Sequence, residues 1–394
     1  MHDYYGVDYH RQLTPIKTTS FFLFGARGTG KTTFLKSFFA ENLRVLWINL
    51  LDPETEDKYA RSPDVLIQQL RQEKHLWDWI VLDEVQKVPR LLDCVHLLIE
   101  EQKKCFALTG SSARKLKRGG ANLLAGRAFL NHLFPLTHPE LGQDFDLNHA
   151  LHWGTLPRVV TTKNETEKSE YLRTYALSYL KEEVWAEHIV QKLDPFRKFL
   201  EIAAQCNGEP INYSNIARDV HAETKTVQSY YQILEDTLVG HFLEAHHGSI
   251  RKRQRQAPKF YFFDPGVTRA LARTLGSPPV HGTSDFGRAF EHFVICEAFR
   301  LSSYLRKDFS FSYLRTKDQV EIDLIVDRPG LPLALVEIKS TDRVDERHTR
   351  GLEKISKSFK KTESFCLSRD NTPKRIGAVN ALPWQQGLKE VLSG

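Results

Sequence analysis

Apolar positions along the first third of the chain fall in short runs that end in polar or glycine-rich turns. Phe21-Phe22-Leu23-Phe24 reads as a buried strand, and the helix-like Thr33-Phe34-Leu35-Lys36-Ser37-Phe38-Phe39 follows a glycine-rich octet. Leu43–Leu50 is a second strand, and the polar, proline-containing stretch Asp52–Lys74 is helical. Trp79-Ile80-Val81-Leu82 is a third strand that ends on Asp83-Glu84, the form taken when a parallel strand delivers acids to its carboxyl end. Lys103–Ser112 is a further strand ending in hydroxyls, and Ala128–Phe134 another.

Between residues 169 and 205 the spacing turns helical, with Tyr171, Leu172, Tyr175, Leu177 and Leu180 forming one apolar face. Gly208-Glu209-Pro210-Ile211 breaks that pattern. Tyr213–Asp219 and Thr224–Leu234 then make two helices with a short turn, the outline of a helix-turn-helix. Lys225, Thr226, Gln228, Ser229 and Tyr230 stand near the start of the second. Phe242–His247 and Lys259–Asp264 read as a hairpin tipped by Arg251-Lys252-Arg253-Gln254-Arg255, which contains no acid. Such a tip either neutralises DNA phosphates or is a solvated basic loop. Gly287–Glu297 opens a helix with Glu291 where solvent is not expected. Strands follow at Phe309–Leu314, Val320–Val326 and Leu333–Lys339, then a helix from Gly351 to Lys360 and a strand at Phe365–Ser368. From Pro373 onward no pattern stands out.

At 394 residues the chain is long for one core, so two to three domains are expected. Its 41% hydrophobic and 26% charged content excludes disordered and fibrous classes. No apolar run approaches the roughly 18 residues that span a bilayer, and the start lacks an apolar signal segment, so a cytoplasmic protein without a membrane partner is expected. The cysteines at 94, 105, 206, 296 and 366 stand singly and read as reduced thiols. A net charge of +6 is a mild excess whose distribution matters more than its total.

Gly25-Ala26-Arg27-Gly28-Thr29-Gly30-Lys31-Thr32 fits the G-x-x-x-x-G-K-[ST] phosphate loop between a strand and a helix. Its glycines turn backbone N–H groups toward a polyphosphate, so Gly25, Arg27, Gly28, Thr29, Gly30, Lys31, Thr32 and Thr33 are the expected ATP or ADP contacts. Lys31 would reach the β- and γ-phosphates, and Thr32 would place its hydroxyl on Mg²⁺. Asp83 would orient that ion and Glu84 polarise the attacking water, while Thr109 or Ser111 would touch the γ-phosphate. In the last third, Asp323 and Glu337 interrupt apolar strands. A carboxylate there costs several kcal/mol unless paired or bound to metal.

The run Leu82–Pro89, the Thr109-Gly110-Ser111-Ser112 end and Ala125-Gly126-Arg127 together resemble a prokaryotic AAA-type P-loop ATPase family. Its members look like an ATPase joined to a winged helix and a nuclease-like C-terminal domain of undefined function. By this resemblance Arg127 is an arginine finger for a neighbouring subunit's nucleotide, which requires a homo-oligomeric ring, expected as a hexamer; otherwise it is a surface arginine. Trp153-Gly154-Thr155-Leu156-Pro157-Arg158 is similar to the element that opens this group's helical lid, which implies that Arg158 is a second nucleotide sensor. Glu291, Asp323, Glu337 and Lys339 resemble the PD-(D/E)xK nuclease fold. That implies Asp323 and Glu337 on Mg²⁺, Lys339 positioning or activating a water, and Glu291 completing the outer shell.

The expected fold is α/β: an AAA-type P-loop ATPase core over 1–150, a helical lid over 151–207, a winged helix over 208–280 and a PD-(D/E)xK-like domain over 281–394. The expected function is an ATP-hydrolysing motor on double-stranded or branched DNA, contacted through Lys225, Gln228, Arg251, Lys252, Arg253 and Arg255, with a last domain that cuts or clamps it. The alternative is an ATP-switched signalling or scaffold protein with an inert nuclease-like domain.

Overall fold

The computed structural model describes residues 9–40, 43–73, 75–111, 116, 124, 126–179, 193–246, 256–316 and 320–393. They form two compact units. One runs to Leu136 and takes in Leu156–Arg158 and Ile233–Val239; the other comprises Thr137–Thr155, Val159–Gln232 and the chain from Gly240 onward.

The first unit contains β1 (Ser20–Phe24), α1 (Lys31–Phe38), β2 (Val45–Asn49), α2 (Pro53–Arg61), α3 (Asp64–Gln72), β3 (Trp79–Asp83), α4 (Leu91–Gln102), β4 (Cys105–Gly110) and β5 (Ala128–His132). All strands are parallel, in the order β2-β3-β4-β1-β5. Every residue of β1 and β3 is buried, as continuous apolar runs require when helices cover both faces of a sheet. The stretch 52–74, expected as one helical region, forms two helices. Asp52 caps the first through the Thr55 N–H, and Pro63 disfavours helical geometry at Ser62 and ends it. Since β4 separates β1 from β3, the carboxyl ends of three neighbouring strands bring Gly25, Asp83 and Gly110 side by side.

In the second unit, α5 (His138–Leu141), α6 (Leu147–Trp153), α7 (Pro157–Thr161) and α8 (Glu165–Thr174) precede α9 (Leu193–Gln205), with α7 beginning among the first unit's residues. The helix pair α10 (Tyr213–Asp219) and α11 (Thr224–Asp236) and the hairpin β6 (Gly240–Ala245) and β7 (Lys259–Phe262) stand where the sequence places them. Then come α12 (Pro265–Leu271), α13 (Ser284–Tyr304), β8 (Ser310–Arg315), β9 (Glu321–Asp327), β10 (Leu333–Lys339), α14 (Glu346–Ser356), β11 (Thr362–Ser368), β12 (Lys374–Ile376), β13 (Val379–Pro383) and α15 (Trp384–Leu392).

These strands make one eight-stranded sheet, β12-β13-β11-β10-β9-β8-β6-β7. Pairing of Glu244 with Ser312 and Ala245 with Tyr313 joins the hairpin to the C-terminal strands across the boundary expected at residue 280. Phe290, Phe293 and Val294 of α13 pack with Leu324, Val336, Phe365 and Trp384 in one core. A second core places Leu352 and Ile355 of α14 with Leu335, Cys366 and Val379. The five cysteines are free thiols, three of them buried.

Candidate functional site

The phosphate loop connects β1 to α1 through two residues with left-handed backbone, Gly28 (φ 80°) and Gly30 (φ 90°). A side chain at Gly25 would collide with the Leu133 carbonyl, so the loop lies directly on the backbone that follows β5. Gly30 caps α1 without a side-chain hydrogen bond, and the first turn has no acid. The orphan N–H groups of that turn are thus left for an anion. Lys31 is buried and its Nζ donates to the Gly25 carbonyl at 2.8 Å, while Thr29 Oγ1 donates to the Ala26 carbonyl at 2.9 Å. Arg27, Gly28, Thr32 and Thr33 are exposed around the rim.

Thr32 Oγ1 donates to Asp83 Oδ2 at 3.0 Å, which brings the two expected Mg²⁺ residues face to face. Thr109, at the end of β4, donates its hydroxyl proton to Asp83 Oδ1 and accepts the Glu84 N–H at 2.9 Å. Glu84 takes a left-handed conformation (φ 62°) where β3 turns into Val85–Lys87. Its carboxylate accepts from Gln86 Nε2, and the oxygen of that amide, Oε1, is buried without a hydrogen-bond partner. Sequence reasoning assigned Gln86 no role. The donor set, an uncapped helix start, a buried lysine, a hydroxyl and a carboxylate, fits a nucleotide with Mg²⁺.

Around this centre the other expected residues separate. Ser111 follows β4 directly and is half-buried. Pro157 lies 3.7 Å from where a Gly30 side chain would begin, so Arg158 follows a residue packed on the loop. Arg127 precedes β5 at the opposite end of the sheet, where Ala128 pairs with Ser20, and it forms an ion pair with Glu100. Arg11 escaped the sequence reading. It is buried and donates to the Thr29 carbonyl at 3.0 Å and the Phe134 carbonyl at 2.6 Å, tying the loop to the chain beyond β5.

Residues 17–142 match a family described as an AAA domain. The match supports an AAA-type P-loop ATPase family. Residues 144–277 and 286–386 match two domains of unknown function, DUF8612 and DUF4143. Uncharacterized proteins of Mycobacterium bovis and Mycobacterium tuberculosis are each 26% identical over 264 residues, 66% of this chain and 58% of theirs. An uncharacterized protein of Methanocaldococcus jannaschii is 25% identical over 385 residues, 85% of this chain and 78% of its own. The chain therefore spans less than two thirds of the length of the mycobacterial relatives. Among the described residues no helix is long and apolar enough to cross a membrane.

The second unit gathers charge around β9 and β10. Continued register from Leu324 opposite Val336 sets Asp323 beside Glu337, and the buried Asp323 carboxylate accepts the Ile338 N–H at 2.7 Å. Glu337 Oε1 lies 2.5 Å from Lys339 Nζ, whereas its Oε2 is buried without a partner. Burial, then the nearby Glu337 and Glu291, push the Asp323 carboxyl well above the carboxylate range. Burial also raises Glu337, against the opposing pull of Lys339. Glu291 instead receives Tyr261 Oη at 2.7 Å and lies 3.4 Å from the buried Lys259.

Among the described residues no group of three or more histidine, cysteine or acidic side chains is poised to hold a metal ion. The open donor set, Asp323 with Glu337, fits Mg²⁺, which takes one or two carboxylates and completes its shell with water and phosphate oxygens. Lys225 and Gln228 are exposed near the start of α11, while Arg251, Lys252, Arg253 and Arg255 lie outside the described residues.

Proposed function

We propose that the protein is an ATP-hydrolysing motor acting on double-stranded or branched DNA, built as a homo-oligomeric ring, taken as a hexamer, with a nuclease-like last domain that cuts or grips the DNA. The observation that carries the ATPase part is the Thr32–Asp83–Thr109–Glu84 chain of hydrogen bonds beside the phosphate loop. Mg²⁺ and the nucleotide, when bound, supply the electrophilic phosphorus and neutralise its charge. Lys31 would leave the Gly25 carbonyl for the β- and γ-phosphates, Thr32 and Asp83 would hold the ion, and Glu84 would polarise a water. Thr109 orients both acids, through the Asp83 carboxylate and the Glu84 N–H.

Arg127 acts on another subunit in this reading. Along β5 it stands a strand length of about 17 Å from its own phosphate loop, beyond the reach of its side chain. Exposed Lys225 and Gln228 at the start of a helix-turn-helix second helix support the DNA part. A second reading, an ATP-switched scaffold, is favoured by one observation: Lys259 and Lys339 already neutralise carboxylates of the acid cluster.

ATP turnover measured with and without duplex and branched DNA, at rising salt and with DNA integrity followed, separates the two. The motor requires DNA-stimulated turnover that fades with salt, and cutting, where present, must vanish in Lys339→Ala. Turnover indifferent to DNA rejects the motor in favour of the scaffold. Inactive Lys31→Ala and Arg127→Ala subunits that restore activity on mixing support the ring; no recovery removes it.

A further inference from the structure

The acid cluster contains a cation that neither the charge pattern nor the nuclease likeness assigns. Lys259 enters from β7 with its side chain 3% exposed. Its Nζ lies 2.5 Å from Glu321 Oε1, 3.4 Å from Glu291 Oε1 and 5.3 Å from the centre of the Tyr313 ring. Tyr261, two residues on and on the same face of the strand, donates to the same Glu291 oxygen. Among the described residues, Asp323 adds to the field at Lys259, and Arg315 lies 3.9 Å from Glu321 Oε2. An ammonium this buried is tolerated only because carboxylates surround it, and those carboxylates are tolerated only because it is there.

We propose that Lys259 is the resident counter-cation of this cluster. It is a positioning residue that holds Glu291 and Glu321 and keeps a divalent ion off their side, leaving only Asp323 and Glu337 open to one. This rests on the reading of Asp323 and Glu337 as a cation site. Lys259 and Tyr261 belong to the hairpin strand, so the cluster assembles without metal and is closed on one side by the element expected to bear the wing. A displacement of β7 that withdrew Lys259 and Tyr261 would free Glu291 as a third carboxylate, while Glu321 keeps Arg315 at 3.9 Å.

The test uses the full chain without nucleotide and Mn²⁺ as the probe, with free Mn²⁺ read by electron paramagnetic resonance and stability by thermal melting. Lys259→Met is expected to bind Mn²⁺ about tenfold more tightly than the native chain, since an opposing buried charge has gone. Its melting temperature, lowered by the unpaired carboxylates, should be raised by Mn²⁺ more than that of the native chain. Adding Glu291→Gln should remove the gain. Equal Mn²⁺ binding by the native and Lys259→Met chains, or a gain that survives Glu291→Gln, overturns the proposal. Should Lys259→Met not fold, Mn²⁺ is expected to restore its refolding, and no restoration overturns the proposal equally. Glu337→Gln in the native background reports separately. Unchanged residual Mn²⁺ binding there defeats the cation-site reading itself, whatever Lys259→Met does.

Discussion

Removing Arg11 isolates one support of the phosphate loop from the loop's own chemistry. The guanidinium makes two hydrogen bonds to backbone carbonyls, Thr29 inside the loop and Phe134 beyond β5, from a buried position. Hydrogen bonds from a charged donor contribute about 1.5 kcal/mol or more each, so Arg11→Met should cost the first unit about 3 kcal/mol of stability. Of these two, the Thr29 bond bears on the loop. If its share of about 1.5 kcal/mol is drawn from the ordering of the loop, the binding-competent fraction falls about tenfold and Kd rises by the same factor. A fluorescent ADP analogue titrated in Mg²⁺ reads this directly, beside urea unfolding of the nucleotide-free chain. Arg11→Lys, which retains charge but not the fork, should fall between. Turnover at saturating ATP should change by less than about threefold, because no reacting group has moved. A folded but less stable Arg11→Met chain that bound ADP as tightly as the native one would refute the link and leave Arg11 as a brace of the fold alone.

Three further outcomes follow from local geometry. Gln86→Ala frees the Glu84 carboxylate from its amide donor and should change kcat about tenfold with KM nearly constant, as steady-state kinetics would show; a pure KM effect would contradict it. Gly154 has φ 75°, and a side chain there would collide with the Asp264 carboxylate that caps α12 through the Val267 N–H, so Gly154→Ala should cost 2 kcal/mol or more, roughly, in denaturant unfolding. Burial lowers His149, with Lys168 assisting, to about 4, His292 to about 4, and His241 to about 3. Their folded pKa values lie below the unfolded value, so their contribution is full above about pH 6.5 and is lost as pH falls toward those values; His292 and His241 each cost about 2 kcal/mol at pH 5 and the half-buried, solvent-screened His149 less, so the second unit should resist urea less at pH 5 than at pH 7.

The phosphate loop was legible in the sequence because its geometry is local: eight consecutive residues carry glycines, lysine and hydroxyl in the order the backbone needs. The charged β10 strand was legible for a similar reason, since alternation alone puts Glu337 and Lys339 on one face. Arg11 was not, because its partners lie 18 and 123 residues along the chain and its own surroundings are an ordinary polar segment. Lys259 was read only as part of a hairpin. A lysine leading directly into Phe260-Tyr261-Phe262-Phe263 was the available signal, but its meaning depends on Glu291, 32 residues away, and on Glu321. The strands β12 and β13 and the helix α15 near the end went unread, and β12, with three residues, is too short for a period to show.

The pairing of β6 with β8 bears on inheritance as well as on shape. The segments matched to two separate domains of unknown function, 144–277 and 286–386, both contribute strands to a single ladder. A chain that received one of them from a different ancestor would meet a foreign strand edge at Ser312 and Tyr313 and a foreign carboxylate opposite Lys259. Exchange is therefore penalised twice, once in backbone hydrogen bonds and once in buried charge. Inheritance of the two segments together is the expected consequence, and substitutions at Lys259 should track those at Glu291 and Glu321 across the join.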